Sequence, residues 1–272
     1  MLDAPPPADL VLVDETSMLT MRHIKCILQS YASHQNTRIL FLGDDAQLPC
    51  IGRGFPIRDL KQAVHTVSLT KCMRTHGRGL LAVADATRRG RELQDWTDEV
   101  WLTPCNDPVA CMARMFSGRD GSSTPDEAIP RPWQDTYVQM ITPQNNHAAM
   151  LNKMVQESYH PPNKELFSKC FVGDVVRIKE NATEYKNGEE GVLEDIVDSV
   201  PPARDNRHKR MKTVGTRQGI VRKRDGSRVR VFDKHIEPAY ATTVHRVQGS
   251  EYSTVALVLF NGTHPNLSLI HI

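Results

Sequence analysis

The sequence has few of the features that mark secreted, membrane-spanning or zinc-binding proteins. None of its six cysteines forms a close pair at zinc-finger spacing, and its 11 histidines form no ligand pairs beside them. No run approaches the roughly 20 apolar residues that a membrane helix needs. The first residues lack the basic start and apolar stretch of a signal peptide. We therefore expect reduced thiols in a cytoplasmic or nuclear protein without a membrane partner.

The composition also lacks a strong charge excess, because 34 basic residues face 32 acidic ones in a chain of 272 residues. A net charge of +2 does not by itself indicate a nucleic-acid partner. With 39% hydrophobic residues, the chain is neither collagen-like nor wholly disordered. Its length suffices for one large domain or for two to three small ones.

Two short apolar runs and the segment between them predict a βαβ unit. Leu10–Val13 and Ile39–Leu42 are continuous apolar runs, which are typical of strands buried on both faces of a parallel sheet. Residues 18–33 have helical spacing, so strand, helix and strand follow within about 35 residues. Further elements of this kind are expected as strands at 64–69, 137–141, 240–244 and 254–260, and as helices at 79–89 and 146–159.

The pattern changes to alternating apolar and polar residues from about residue 171. Residues 172–178, 191–197, 219–222 and 228–232 alternate in this way. Asn187-Gly188 and Asp225-Gly226 are turn signals between them. A small all-β module of roughly 65 residues, inserted into a second α/β domain, explains this arrangement.

The first chemically suggestive pair is Asp14-Glu15, which follows the first predicted strand. Ligands bind at the carboxyl ends of strands in open α/β sheets. In phosphate-transferring folds, an Asp at such a place holds Mg²⁺, and a neighbouring Glu can orient and deprotonate water. The alternative is a pair of solvated carboxylates at a strand end.

The second group, Gly43–Pro49, lies at the end of the next strand and therefore faces the first pair at the same sheet edge. Gly43 permits a tight exit from the strand. Gln47 supplies both a donor and an acceptor, which suits the sensing of a terminal phosphate and its attacking water. A polymerase-like Gly-Asp-Asp turn is disfavoured, because that turn lies on a β-hairpin rather than in an α/β unit.

Five segments in order resemble a known family. They resemble the motifs of superfamily 1 helicases, above all the RecD-like group that includes relatives of the exonuclease V alpha subunit. The segments are Val13–Leu19 with Gly43–Gly52 (motifs II and III), Leu69–Arg74 (motif IV), Gln139–Pro143 (a strand that meets single-stranded DNA), Phe171–Val176 with Asn187–Gly191 (an inserted Src-homology-3-like barrel) and Tyr240–Tyr252 (motif V).

The resemblance implies an α/β fold class with two RecA-like parallel-sheet motor domains of the P-loop NTPase type. The first is truncated, and the second carries a small Src-homology-3-like β-barrel. The expected boundaries are 1–63 for the first motor domain, 64–165 with 236–268 for the second, and 166–235 for the barrel with its basic loop.

The resemblance also implies a function and its site residues. The expected function is an ATP-dependent DNA helicase or translocase of 5′→3′ polarity, with ATP and Mg²⁺ as cofactors and single-stranded DNA as partner. The implied catalytic residues are Asp14 (also the metal ligand), Glu15, Gln47 and Arg74. The implied cofactor-binding residues are Gly43, Asp44, Gly249 and Glu251, and the implied nucleic-acid contacts are Thr142, Pro143, Thr243 and His245.

Two departures from the family pattern qualify this expectation. No Gly-x-x-x-x-Gly-Lys-Ser/Thr loop is present, and the family's final Arg-bearing motif is missing. We therefore expect an internal piece of a longer helicase, with negligible ATP hydrolysis by this polypeptide alone. Residues 204–234 are rich in Arg and Lys, which indicates either a track for a nucleic-acid backbone or a solvated insertion.

Two alternative functions stay open at this point. The first is a superfamily 1 RNA helicase of the nidovirus type, whose motifs II, III and V read similarly; the barrel before motif V favours the RecD-like group. The second is a non-catalytic nucleic-acid-binding remnant that has lost its P-loop. A preference for DNA over RNA tests the first, and a Gly-Lys-Thr in upstream coding sequence tests the second.

Overall fold

The computed structural model describes residues 5–52, 54–72, 78–91, 100, 138–160, 167, 169–198, 217–252 and 254–260. The described residues up to 100 form one unit, and those from 138 onward form a second. Within these ranges no helix is both long and apolar enough to cross a membrane.

The first unit contains the predicted βαβ arrangement. In chain order its elements are β1 (Leu10–Val13), a 3₁₀ turn (Thr16–Met18), α1 (Met21–Ser30), β2 (Arg38–Phe41), α2 (Pro56–Ala63) and α3 (Arg78–Arg88). β1 and β2 pair in parallel, with Val13 opposite Phe41. Thr20 caps the start of α1, and its hydroxyl accepts a hydrogen bond from the His23 amide at 3.3 Å. The strands and helices expected here from apolar spacing are thus confirmed, with one exception.

That exception is the strand expected at 64–69, which was wrong. These residues follow α2 without forming a strand, and Leu69 is 94% exposed. An apolar run becomes a strand only where a neighbour supplies hydrogen bonds, and none of the described strands pairs with it.

The expectation that β1 and β2 are buried on both faces was also wrong for the described residues. Every second side chain in each strand is exposed, Leu12 by 60%. The described part of this unit pairs only two strands, so its sheet is narrow and one face is left open.

The second unit combines a parallel and an antiparallel sheet. Its elements are β3 (Val138–Thr142), α4 (Asn145–Tyr159), β4 (Val175–Ile178), β5 (Glu190–Asp198), β6 (Arg217–Lys223), β7 (Arg228–Phe232), β8 (Ile236–Pro238), β9 (Ala241–Thr243), α5 (Val244–Val247) and β10 (Thr254–Leu257). The parallel sheet has the order β10-β3-β9. Met140, Leu151 and Val155 are fully buried between this sheet and α4.

The antiparallel sheet has the order β7-β6-β5-β4-β8 and its own apolar core. Phe167, Ile178 and Leu193 are fully buried in that core. Both predicted turns contain a glycine of positive φ, 92° at Gly188 and 82° at Gly226, a conformation that favours glycine. A 3₁₀ turn at Asp233–His235 connects β7 to β8. The alternation that starts near residue 171 therefore folds as one antiparallel module.

Candidate functional site

The ends of β1 and β2 bring the two sequence groups of the first unit together. The Leu42 amide donates to the Val13 carbonyl at 2.8 Å, and the Thr16 amide donates to the Leu42 carbonyl at 2.9 Å. Asp14-Glu15 and the turn that begins at Gly43 therefore lie at the same sheet edge, as expected for neighbouring parallel strands.

Glu15 has an unusual backbone conformation at this edge. Its φ of 47° and ψ of 44° are left-handed, and among the described residues no other non-glycine residue has positive φ. The Glu15 amide donates to Oδ1 of Asp14 at 2.8 Å, and the Thr16 hydroxyl donates to the Val13 carbonyl at 3.1 Å. Such a backbone costs on the order of 1–3 kcal/mol in a non-glycine residue, and strain of this kind clusters at active sites.

The Gly43 turn packs against the Asp14-Glu15 turn. A Cβ atom on Gly43 would lie 2.7 Å from Cδ1 of Ile57 and 3.2 Å from the Thr16 amide nitrogen. Ser17 is 3% exposed, and its hydroxyl donates to Oε1 of Gln47 at 3.3 Å. Through this contact, the buried Ser17 of the first turn orients the side-chain amide of Gln47.

Asp44 is engaged with protein groups. Its Oδ1 accepts a hydrogen bond from the Ala46 amide at 2.9 Å and pairs with Arg88 of α3 at 2.5 Å. These contacts shape the turn that carries Gln47.

Among the described residues of this edge, Asp14 is the group that suits a magnesium ion. In the part of the chain that the structure describes, no three His, Cys, Asp or Glu side chains lie close enough to hold a metal. Asp14 is exposed and presents a carboxylate. Mg²⁺ commonly takes one or two protein carboxylates and completes its shell with water and phosphate oxygens, so Asp14 fits that donor set.

Arg74, the fourth expected catalytic residue, lies outside the described residues.

In the second unit, Thr142 and Thr243 lie opposite each other at the ends of β3 and β9. Both are buried, and the Thr142 hydroxyl has no hydrogen-bond partner among the described atoms. Pro143 is half-buried and His245 is exposed. Of these four expected nucleic-acid contacts, His245 therefore presents its side chain most openly.

Gly249 and Glu251 are exposed in the segment after α5, where Gly249 has a φ of 80°. A cleft of about 760 Å³ lies beside this segment, between it and the antiparallel sheet. Its lining includes Arg177, Glu190 and Tyr252. Burial, with the Glu190 carboxylate nearby, raises the pKa of Tyr252 above its ordinary value, so its hydroxyl stays a donor.

A buried carboxylate that sequence reasoning missed, Asp174, connects α4 to both sheets. It is fully buried, and its Oδ1 contacts Nε2 of His160 at 2.6 Å and accepts from the Tyr240 hydroxyl at 2.9 Å. Its Oδ2 accepts from Nε2 of Gln156 at 2.6 Å and from the Phe171 amide at 2.7 Å. Burial together with the Asp174 charge raises the pKa of Tyr240.

Comparison with known proteins agrees with this geometry. The AAA domain family matches residues 2–100. Over 97% of its length, the chain is 29% identical to the ATP-dependent RecD2 DNA helicase of Deinococcus radiodurans. The chain is thus similar in sequence to a RecD2 helicase, as the motifs led us to expect. It spans 34% of the length of that relative, about a third.

One solved structure shows the same fold. The Pif1 helicase from Candida albicans superposes with a TM-score of 0.59 at 15% identity, covering 97% of this chain and 69% of that chain. A Bacteroides Pif1 in complex with ADP-AlF4 aligns with a TM-score of 0.45 at 16% identity, over 96% of this chain and 67% of that chain. The expected RecD-like relationship and the mixed α/β fold with parallel sheets are confirmed.

Proposed function

We propose that this RecD-like chain works in an ATP-dependent DNA helicase that couples ATP hydrolysis to 5′→3′ movement on single-stranded DNA. One observation carries the proposal. Asp14, Glu15 and Gln47 lie at one sheet edge, with a strained backbone at Glu15 and a partly buried hydrogen bond from Ser17 to Gln47. Strain and a fixed polar side chain at one strand edge are what a pre-organised phosphate-transferring site requires.

The proposed roles follow from the chemistry of each side chain. Asp14 would hold Mg²⁺, and the bound ion would neutralise negative charge on the phosphates. The Glu15 carboxylate would accept a proton from the attacking water. Gln47 would donate its amide N–H groups toward the terminal phosphate while Ser17 holds its oxygen. Arg74 would stabilise negative charge on the transferred phosphate.

In the second unit, we propose that His245 and Pro143 meet the DNA strand, while Thr142 and Thr243 shape the strand ends behind them. Gly249 and Glu251 would face the nucleotide. The five antiparallel strands and the 3₁₀ turn between β7 and β8 support our assignment of the antiparallel module as the Src-homology-3-like barrel of the second RecA-like domain. The boundaries 1–63, 64–165 with 236–268, and 166–235 stay predictions, as does a cytoplasmic or nuclear location.

The test is ATP hydrolysis stimulated by single-stranded DNA, measured on the full-length gene product. Glu15→Gln should lower kcat by about 10²–10⁴ while nucleotide binding is retained, because the amide cannot accept the proton. The matched control is Asp45→Asn, an exposed carboxylate of the same edge that pairs with Lys61 at 2.9 Å. It should leave kcat within about twofold, because exposed ion pairs contribute little. A Glu15→Gln variant as fast as wild type would contradict the proposal.

A further inference from the structure

Arg177 connects the antiparallel sheet to the end of the parallel sheet. It lies on β4 and is 8% exposed, so its charge needs partners inside the protein. Its Nε donates to Oε1 of Glu190 at 3.0 Å, and its second nitrogen, Nη1, donates to the hydroxyl of Thr242 on β9 at 2.6 Å. One guanidinium thus bonds to both sheets.

Glu190 makes a second connection, to Tyr252, which lies ten residues after Thr242 in the chain. Its Oε1 accepts from the Tyr252 hydroxyl at 3.5 Å, and its Oε2 pairs with Arg224 of the turn after β6. The Arg224 guanidinium also lies over the Tyr252 ring, 5.1 Å from its centre. Glu190 therefore contacts both the guanidinium that bonds to Thr242 and the hydroxyl of Tyr252.

A third connection lies between these two. Nη1 of Arg246 donates to Oε1 of Glu237 on β8 at 2.5 Å. The antiparallel module thus holds residues 242–252, the tethered segment, at its start, its middle and its end.

Beyond β9, which pairs with β3, the tethered segment has little regular structure. α5 has four residues, and a helix that short is not stable by itself. Beyond it, the Ser250 amide donates to the Val247 carbonyl at 2.9 Å across the positive-φ Gly249. His245, Gly249 and Glu251 are exposed along this stretch. Their placement therefore depends on the strand pairing of β9 together with the contacts to the antiparallel module.

We infer that Arg177 and Glu190 are positioning residues that hold the tethered segment in its binding conformation, so that the antiparallel module controls how tightly the segment engages single-stranded DNA. This inference rests on the proposed function. Neither side chain touches the DNA; both act through Thr242 and Tyr252. Two buried charges kept in one network favour a single arrangement of the parts that they join.

The sharpest test uses two substitutions at Thr242. Thr242→Val keeps the shape of the side chain but removes the oxygen that accepts from Arg177, whereas Thr242→Ser keeps that oxygen. Both are compared with wild type on the full 272-residue chain, at a temperature where circular dichroism shows each variant fully folded. The measurements are amide hydrogen exchange and the affinity for a fluorescent single-stranded DNA.

Thr242→Val should speed exchange across the tethered segment, including the Ser250 amide, by about tenfold, since one buried hydrogen bond is lost. Exchange in the antiparallel core, such as Val221 and Val231, should stay unchanged. The dissociation constant for DNA should rise about fivefold to tenfold, whereas Thr242→Ser should stay within twofold of wild type in both measurements. Tyr252→Phe, at the other end, should loosen the same amides.

Two results would overturn the inference. One is equal exchange of the tethered segment in Thr242→Val, Thr242→Ser and wild type. The other is a loss of DNA affinity shared equally by the valine and serine variants. If the proposed function is wrong, the wild-type chain binds no DNA. The exchange measurement would still report whether the contacts of Arg177 and Glu190 hold the tethered segment.

Discussion

The hydroxyl of Ser17 donates a hydrogen bond to Oε1 of Gln47 at 3.3 Å, across 30 positions of sequence. It joins the turn after β1 to the turn after β2, the two places that carry the proposed catalytic groups. Because Ser17 holds the Gln47 oxygen, the direction in which the side-chain amide faces is fixed. A serine inside the first motif thus orients a glutamine in the second.

Ser17→Ala should destabilise the chain by about 1 kcal/mol, the usual net contribution of a partly buried hydrogen bond. The measurement is urea unfolding followed by circular dichroism. Ser33→Ala, an exposed serine after α1, is the control and should change the free energy of unfolding by less than about 0.5 kcal/mol. Equal effects at the two sites would show that the Ser17 bond contributes nothing.

The backbone of Glu15 gives a second prediction, because its φ of 47° disfavours any residue with a Cβ atom. Glu15→Gly should be more stable than Glu15→Ala by about 1 kcal/mol, although glycine normally destabilises relative to alanine. Both variants lack the carboxylate, so the pair isolates the backbone term. Thermal unfolding of the two proteins decides it, and an alanine variant as stable as the glycine variant would rule out the strain.

Substitution of Asp174 is expected to cause the largest loss of stability among these predictions. Asp174→Asn keeps the shape of the side chain but places an amide against Gln156, His160 and Tyr240, so buried donors face one another. The free energy of unfolding should fall by about 3 kcal/mol. Asp195→Asn, an exposed β5 residue bonded to its neighbour's amide, should cost less than about 0.5 kcal/mol. A small loss at Asp174 would mean that the network is dispensable.

Alkaline pH should weaken the second unit through Cys170. Burial, helped by the nearby negative charge of Asp174, raises the pKa of this thiol in the folded protein. The unfolded chain therefore loses the thiol proton first, so stability is complete below the ordinary thiol pKa of about 8.5 and falls as pH rises above it. The decline should approach about 1.4 kcal/mol per pH unit. Cys170→Ala should flatten this part of a urea-unfolding pH profile; an unchanged profile would contradict the assignment.

Local patterns predicted the elements of the fold wherever a neighbour was available to complete them. Leu10–Val13 and the alternating run at 228–232 form strands because adjacent segments supply hydrogen bonds. Val64, Val67 and Leu69 are also apolar, yet they stay exposed. Apolar spacing reports what a segment can bury, whereas pairing depends on residues far away in sequence.

In the candidate site, too, some features could be predicted from local sequence and others depend on distant contacts. That Asp14, Glu15 and Gln47 lie at one edge was predictable, because strand ends of parallel neighbours meet there. Their catalytic roles stay predictions. Arg177 was not, although a charged residue between Val176 and Ile178 is a signal that it has a buried partner. That partner, Glu190, lies 13 positions away, and the left-handed backbone of Glu15 leaves no trace in residue type. Such features arise from tertiary contacts.

Binding of single-stranded DNA by this chain is tested most directly by titrating the folded chain with a fluorescent single-stranded DNA and its RNA equivalent over a salt series. We expect micromolar binding at low salt that prefers DNA and weakens as salt rises, because phosphate contacts release counterions. Circular dichroism establishes that the chain is folded in each buffer. Preference for RNA, or no binding of DNA by a folded chain at low salt, would contradict the proposed function.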